Sequence, residues 1–200
     1  MTIRAILAVL TATATAPLFA APQQQAVSSP CPELEPSNLP ELVEYLKQDR
    51  AALKEACIVY AVGKLGVRRY APAVAILVKY LDFRGPDDPQ RAKYGVMQHS
   101  YWPIFPAENA LFLIGKPAIP DLISVIAASG TPDRIRKSAT STLGSILREE
   151  PSRAVATLVR ASRAEKDPDA SMRLLDAAKE AATDCAPAIR SGCVNALYEQ

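Results

Sequence analysis

A chain of 200 residues with 49% hydrophobic and 22% charged side chains carries enough apolar material for one domain with a sizeable core. Its formal net charge of +2 falls close to balance once Arg4 is set aside with the N-terminal segment, which excludes the basic excess or stripe of a nucleic-acid binder. Aromatic residues are only 6% and alanine is abundant, so closely packed helices are favoured over sheets.

Residues 1–20 read as a secretory signal peptide. Arg4 supplies the positive end, 6–16 form an apolar run too short to span a bilayer, and small residues lead to a cut after Ala20. The rival reading is a retained anchor. Residues 21–37 form an extended leader rich in Pro and Gln, followed by a domain over 38–200. No other stretch has about 18 consecutive apolar residues. The mature chain is therefore expected outside the cytoplasm, periplasmic or secreted, without stable membrane insertion. The four cysteines, Cys31, Cys57, Cys185 and Cys193, argue for two disulfides in such a compartment. Of the three pairings, Cys31–Cys57 and Cys185–Cys193 suit an elongated fold. Continuous helix from Cys185 to Cys193 would hold the α-carbons about 12 Å apart, where a disulfide needs them within about 7 Å. The second bridge thus predicts a break, with Pro187 or Gly192 as its place.

Ser37 or Asn38 caps a first helix over 38–48, with Pro40 in its first turn and Leu39, Leu42, Val43 and Leu46 on one face. A second helix is predicted over 50–65, carrying Ala52, Ala56, Val59 and Leu65. A third follows over 71–81, burying Val74, Leu77, Val78 and Leu81. Residues 82–106 break the rhythm with four prolines and no sustained periodicity, and form a long loop insert, a kind of segment that is often functional. Helices resume over 107–114, 119–128, 133–148, 151–165, 170–183 and 188–198.

Ala61, Leu65 and Gly66 match Ala110, Ile114 and Gly115, and again Ala139, Leu143 and Gly144. A proline follows each glycine: Pro72, Pro120 and Pro151. A degenerate fourth unit has Ala177, Ala182 and Pro187. Small residues let the two helices of a pair approach, with the glycine opening the turn. Proline suits the first turn of the second helix, where an N–H lacks a helical partner. One such pair cannot bury its apolar stripe alone, so pairs stack.

On AVGKLGVRRYAPAVAILVKYL, ALFLIGKPAIPDLISVI and ATSTLGSILREEPSRAVATLV, the chain resembles the HEAT-repeat family over roughly 40–197. The resemblance implies an all-α fold, a short right-handed α-solenoid of about four HEAT-like helix pairs plus an N-terminal helix. It also implies a binding surface for a protein or peptide, lined by the second helix of each pair. Lys79, Tyr80, Asp121, Ser124, Arg153, Arg160, Arg190 and Asn195 are the surface contacts so implied.

No catalytic constellation is evident. His99 is the one histidine, no Gly-x-Ser-x-Gly elbow occurs, and no glycine-rich phosphate cradle follows a strand. No metal site or cofactor is expected: Asp82, Asp87 and Asp88 fit no calcium-loop spacing and suit turn chemistry better. The loop aromatics Tyr94, Tyr101, Trp102 and Phe105 cluster although aromatics are scarce, and with His99 they form a second candidate contact group. The resulting expectation is a non-catalytic, exported helical-repeat module that binds a protein or peptide. Its alternatives are an extracytoplasmic enzyme or ion binder using Asp87, Asp88 and His99, and a structural envelope protein without a dedicated partner.

Overall fold

A computed structural model of the chain describes residues 31, 34, 38–85, 104–148, 151–185 and 190–198, and among these all regular structure is helical. The expected signal peptide, nearly all of the leader and residues 86–103 of the insert lie outside the described residues. The first helix, α1 (Leu39–Leu46), starts where the Asn38 side chain accepts a hydrogen bond from the Glu41 N–H at 3.4 Å, with Pro40 in the first turn.

The helix predicted over 50–65 is broken. Asp49 accepts from the Ala51 N–H at 3.1 Å and starts a separate 3-10 turn, Arg50–Ala52. Leu53 then extends, and α2 runs over Glu55–Val67. Its buried face is Cys57, Ile58, Ala61, Val62, Leu65 and Gly66, while the predicted Ala52 and Ala56 are exposed. The segment predicted as helix over 71–81 is one α-helical turn, α3 (Val74–Leu77), between the 3-10 turns Ala71–Ala73 and Val78–Tyr80. Then follow α4 (Pro106–Ile114), α5 (Ile119–Ala127), α6 (Asp133–Ile146), α7 (Pro151–Ala164), α8 (Pro168–Thr183) and α9 (Arg190–Tyr198). Pro120 and Pro151 stand in the first turns of α5 and α7, and Pro72 in the 3-10 turn before α3, as the motif predicts.

Alternate helices stand side by side: α2 packs on α4, α4 on α6, and α6 on α8. Ala61, Ala110, Ala139 and Ala177, the four alanines of the motif, are all buried along this row. At Gly66 the approach is so close that a Cβ would lie 2.6 Å from the Ala110 Cα and 2.8 Å from its Cβ. The small residues therefore bring α2 against α4, and not, as predicted, the two helices of one pair against each other. Off this row, α5 packs on α6 and α8, α7 on α8 and α9, and α9 on both α7 and α8. One apolar core runs from Cys31 to Ala196, with Leu42, Leu65, Leu111, Leu143, Leu158 and Leu174 almost wholly buried. Each such side chain contributes about 1.5–3 kcal/mol.

The three motif glycines do different work. Gly66 lies in the last turn of α2, which ends at Val67. There the Tyr70 N–H donates to the Leu65 carbonyl (3.0 Å) and the Arg69 N–H to that of Gly66 (2.8 Å), with Arg69 in the left-handed region at φ 50°. Only Gly115 makes a glycine turn: its φ of 78° and ψ of −138° redirect the chain by 114° between α4 and the segment Lys116–Ala127. Gly144 lies inside α6, where a Cβ would meet nothing within 4 Å.

Arginines fix the end of α5. Arg136 donates to the carbonyls of Ile126 (3.2 Å) and Thr131 (2.9 Å) and pairs with Asp133, while Arg173 donates to the Ala127 carbonyl at 2.6 Å. Two carbonyls that α5 leaves without helical partners are thereby tied to α6 and α8. A second lock holds the start of the chain. The Tyr80 hydroxyl donates to the Leu46 carbonyl at 2.8 Å. Arg50 lies over the Tyr80 and Phe83 rings at 5.4 and 5.0 Å and donates to Asp82 at 2.8 Å. The insert departs and returns at one place, since the Gly85 N–H donates to the Ile104 carbonyl at 3.1 Å.

The disulfides pair Cys31 with Cys57 and Cys185 with Cys193, with α-carbons 5.5 and 6.6 Å apart. The first ties the leader to α2, the second ties the end of α8 to the first turn of α9. The chain is non-helical somewhere between Thr183 and Arg190, as the second bridge requires, but Gly192 is inside α9 and does not make the break. Two such bridges suit an oxidising, extracytoplasmic environment. Among the described residues, no single helix is long and apolar enough to cross a membrane.

Candidate functional site

The face of α6 turned away from the core carries Lys137, Ser141, Gly144 and Ser145 at helical spacing, with Ser138 and Thr142 alongside and Arg148 two residues past the helix end. Four of these seven side chains are a hydrogen atom or a serine hydroxymethyl group, so α6 is low along this stripe. The taller neighbours α4 and α8 rise on either side. The result is an open trough. A groove of about 580 Å³ extends from Glu108 of α4 across α6 to Glu180 and Asp184 of α8, with Cys185 and Ala154 at its edge. A second, of about 420 Å³, lies on the α4 side against Phe105, Asn109 and Phe112. The two share Glu108, Ser141, Ser145 and Arg148.

The floor is made of hydroxyls. Thr140 and Thr142 already donate to the carbonyls four residues back, Arg136 (2.9 Å) and Ser138 (2.7 Å), so they serve the helix. Ser141 and Ser145 are exposed to the trough. Charges of both signs line it. Burial pushes the Glu108 carboxyl above its ordinary value of 4.5, against the opposing pulls of a hydrogen bond from Ser138 and the positive charge of Arg134. The Arg148 guanidinium carbon lies over the Phe112 ring, 5.2 Å from its centroid. A surface of exposed hydroxyls, an amide and separated charges is chemically suited to the polar backbone and side chains of an extended peptide.

Of the described residues expected to make contacts, Phe105 alone lines this trough. Lys79, Ser124, Arg153, Arg160, Arg190 and Asn195 are exposed and Asp121 is half-buried, but they sit on or beside α3, α5, α7 and α9. These second helices do not form an unbroken row, because α5 packs on α6 and α8 where α7 would be its expected neighbour. The Ser124 hydroxyl donates to the Pro120 carbonyl at 3.1 Å, within its own helix. Tyr80 is a correction: it is only 3% exposed, its hydroxyl is engaged by Leu46, and burial raises its phenol above the usual range, so it is a core residue and not a surface contact. Tyr94, His99, Tyr101 and Trp102 lie outside the described residues, as do Asp87 and Asp88. Phe105 is half-buried and lines the smaller groove, and Asp82 is held by Arg50. Among the described residues, no group of three His, Cys, Asp or Glu side chains is placed to hold a metal ion.

Glu108, Ser141 and Arg148 were not singled out by sequence reasoning, and Gly144 only as a turn glycine of the repeat. A signal did exist, in the run of serines and glycine at Ser138, Ser141, Gly144 and Ser145 on one helical face. It reads, however, like any solvated stripe until the neighbouring helices are placed. Comparison with protein-family models, curated proteins and solved structures finds no match to this chain.

Proposed function

We propose that the mature chain is an exported, non-catalytic module, a short right-handed solenoid of HEAT-like helix pairs, that binds a protein or peptide partner in the trough along α6. The signal peptide over 1–20 and the two disulfides support export. The observation that carries the binding reading is Gly144. A glycine inside a helix costs about 1 kcal/mol relative to alanine, yet here nothing lies within 4 Å of where a side chain would begin. The fold does not require the gap. An approaching partner backbone would use it.

The test is selection of displayed random peptides on the oxidised protein, followed by rebinding to a Gly144→Tyr variant that fills the floor. Selected peptides should lose binding to the variant while its helical circular-dichroism signal is unchanged. Peptides that bind both proteins equally would place the contact surface elsewhere.

A further inference from the structure

We propose that the Cys185–Cys193 bridge is a redox-sensitive latch: a dithiol reductant that enters the trough opens it, and α9 is then released from α7 and α8 while the rest of the fold stands. This holds whatever else the trough binds.

The first and last helices are held in different ways. At the start, α1 buries Leu42 and Leu46, packs Leu39, Val43 and Tyr45 against the core, and is tied at its end by the Tyr80 hydroxyl on the Leu46 carbonyl. The Cys31–Cys57 bridge is added to a helix that its own leucines already hold. At the other end, α9 is nine residues long and buries Cys193 and Ala196, with Leu197 half-buried and the other six residues exposed. A helix this short does not persist alone in water. Apart from its cysteine, its hold on α7 and α8 is one methyl group and part of one leucine, so the bridge is its main anchorage.

The four cysteines also differ in reach. Cys31, Cys57 and Cys193 are 0% exposed, whereas Cys185 is 5% exposed and lines the trough. Glu180 and Asp184 line the same end, which favours an uncharged dithiol over an anionic one. A thiolate of the reductant attacks the Cys185 Sγ. The Cys185–Cys193 bond breaks, the Cys193 Sγ leaves as a thiolate and takes up a proton, and the second thiol of the reductant displaces Cys185 from the mixed disulfide. The reductant ends as a disulfide and the pair as two thiols, a transfer of two electrons and two protons. With the tie over a separation of 8 removed, α9 is free to leave.

The full oxidised protein is titrated with dithiothreitol under native conditions and its free thiols are alkylated at each point. Peptide mass spectrometry reads each cysteine, and hydrogen exchange reads residues 190–198. Cys185 and Cys193 should be alkylated first. The α9 amides should then exchange about fiftyfold faster, as loss of closure over so short a loop implies, with those of α2, α4 and α6 unchanged. The double variant Cys185→Ser with Cys193→Ser should show the same fast exchange in α9 without reductant. Opening of Cys31–Cys57 first or at the same point, no reduction short of global unfolding, or protection of α9 that survives reduction or the double substitution overturns the inference.

Discussion

The close approach of α2 and α4 makes a quantitative prediction from a single methyl group. In Gly66→Ala the new Cβ would sit 2.6 Å from the Ala110 Cα and 2.8 Å from the Ala110 Cβ, whereas carbon atoms prefer about 3.5–4.0 Å. The obstruction includes backbone, so no rotamer change relieves it; the two helices must separate by about 1 Å. A gap of that size forfeits about a quarter to a half of each affected dispersion contact. Overpacking of this kind costs about 1–3 kcal/mol, offset by about 1 kcal/mol of helix propensity gained on replacing glycine. A net loss of up to about 2 kcal/mol is expected. Gly144→Ala is the internal control. It is the same substitution inside another helix with open space at the Cβ, so only the propensity term remains and the variant should gain about 0.5–1 kcal/mol. Urea denaturation followed by circular dichroism, with equal m-values, reads both. If Gly66→Ala stabilised the protein as much as Gly144→Ala, α2 and α4 would not meet at Gly66, and the row of alternate helices would be wrong.

Four further outcomes follow from local features. The raised carboxyl of Glu108 means that its contribution to stability is fully present below pH 4.5, the ordinary glutamate value, and is lost as pH rises through the higher folded value. Glu108→Gln should therefore raise the melting temperature at pH 7 and not at pH 4; identical pH dependence in the two proteins would refute the assignment. Arg69→Gly removes a side chain from a left-handed backbone position, φ 50°. It should stabilise by about 0.5–1 kcal/mol after the added freedom of the unfolded chain is counted, which chemical denaturation would detect. Serine replacement of the Cys31–Cys57 pair, with its sequence separation of 26, should cost about 3.5 kcal/mol by loop closure. Loss of the Cys185–Cys193 pair, with a separation of 8, should cost about 2.5 kcal/mol. Denaturation of each variant under oxidising conditions ranks the two bridges.

Local structure was legible in the sequence wherever it is governed by neighbours along the chain. The periodicity of Leu42 and Leu46, the Asn38 cap and Pro120 in a first turn are decided within four residues, and they stand where the pattern puts them. Asp49 shows the limit of that reading: the apolar spacing across 50–65 is helical, but one side-chain acceptor diverts the backbone into a separate turn. Tyr80 fails for a different reason. Its burial is decided by Leu46 and Arg50, thirty or more residues away, and no local spacing encodes that meeting. The trough is of the same kind. A helical stripe of Ser141, Gly144 and Ser145 is only a polar face until α4 and α8 stand beside it.

The motif glycines show what a sequence repeat does and does not carry. Gly66, Gly115 and Gly144 occupy one place in the repeat, yet the first admits a neighbouring helix, the second turns the chain through a positive φ, and the third faces open space. The alanine five residues earlier is different: Ala61, Ala110 and Ala139 are all buried in the same row of helices. The conserved physical demand along this chain is therefore the small residue at the contact between alternate helices, and the glycine position is free to be used otherwise. At Gly115 it is used to redirect the backbone. At Gly144 it leaves bare helix on the floor of the trough, near an arginine that lies over the Phe112 ring.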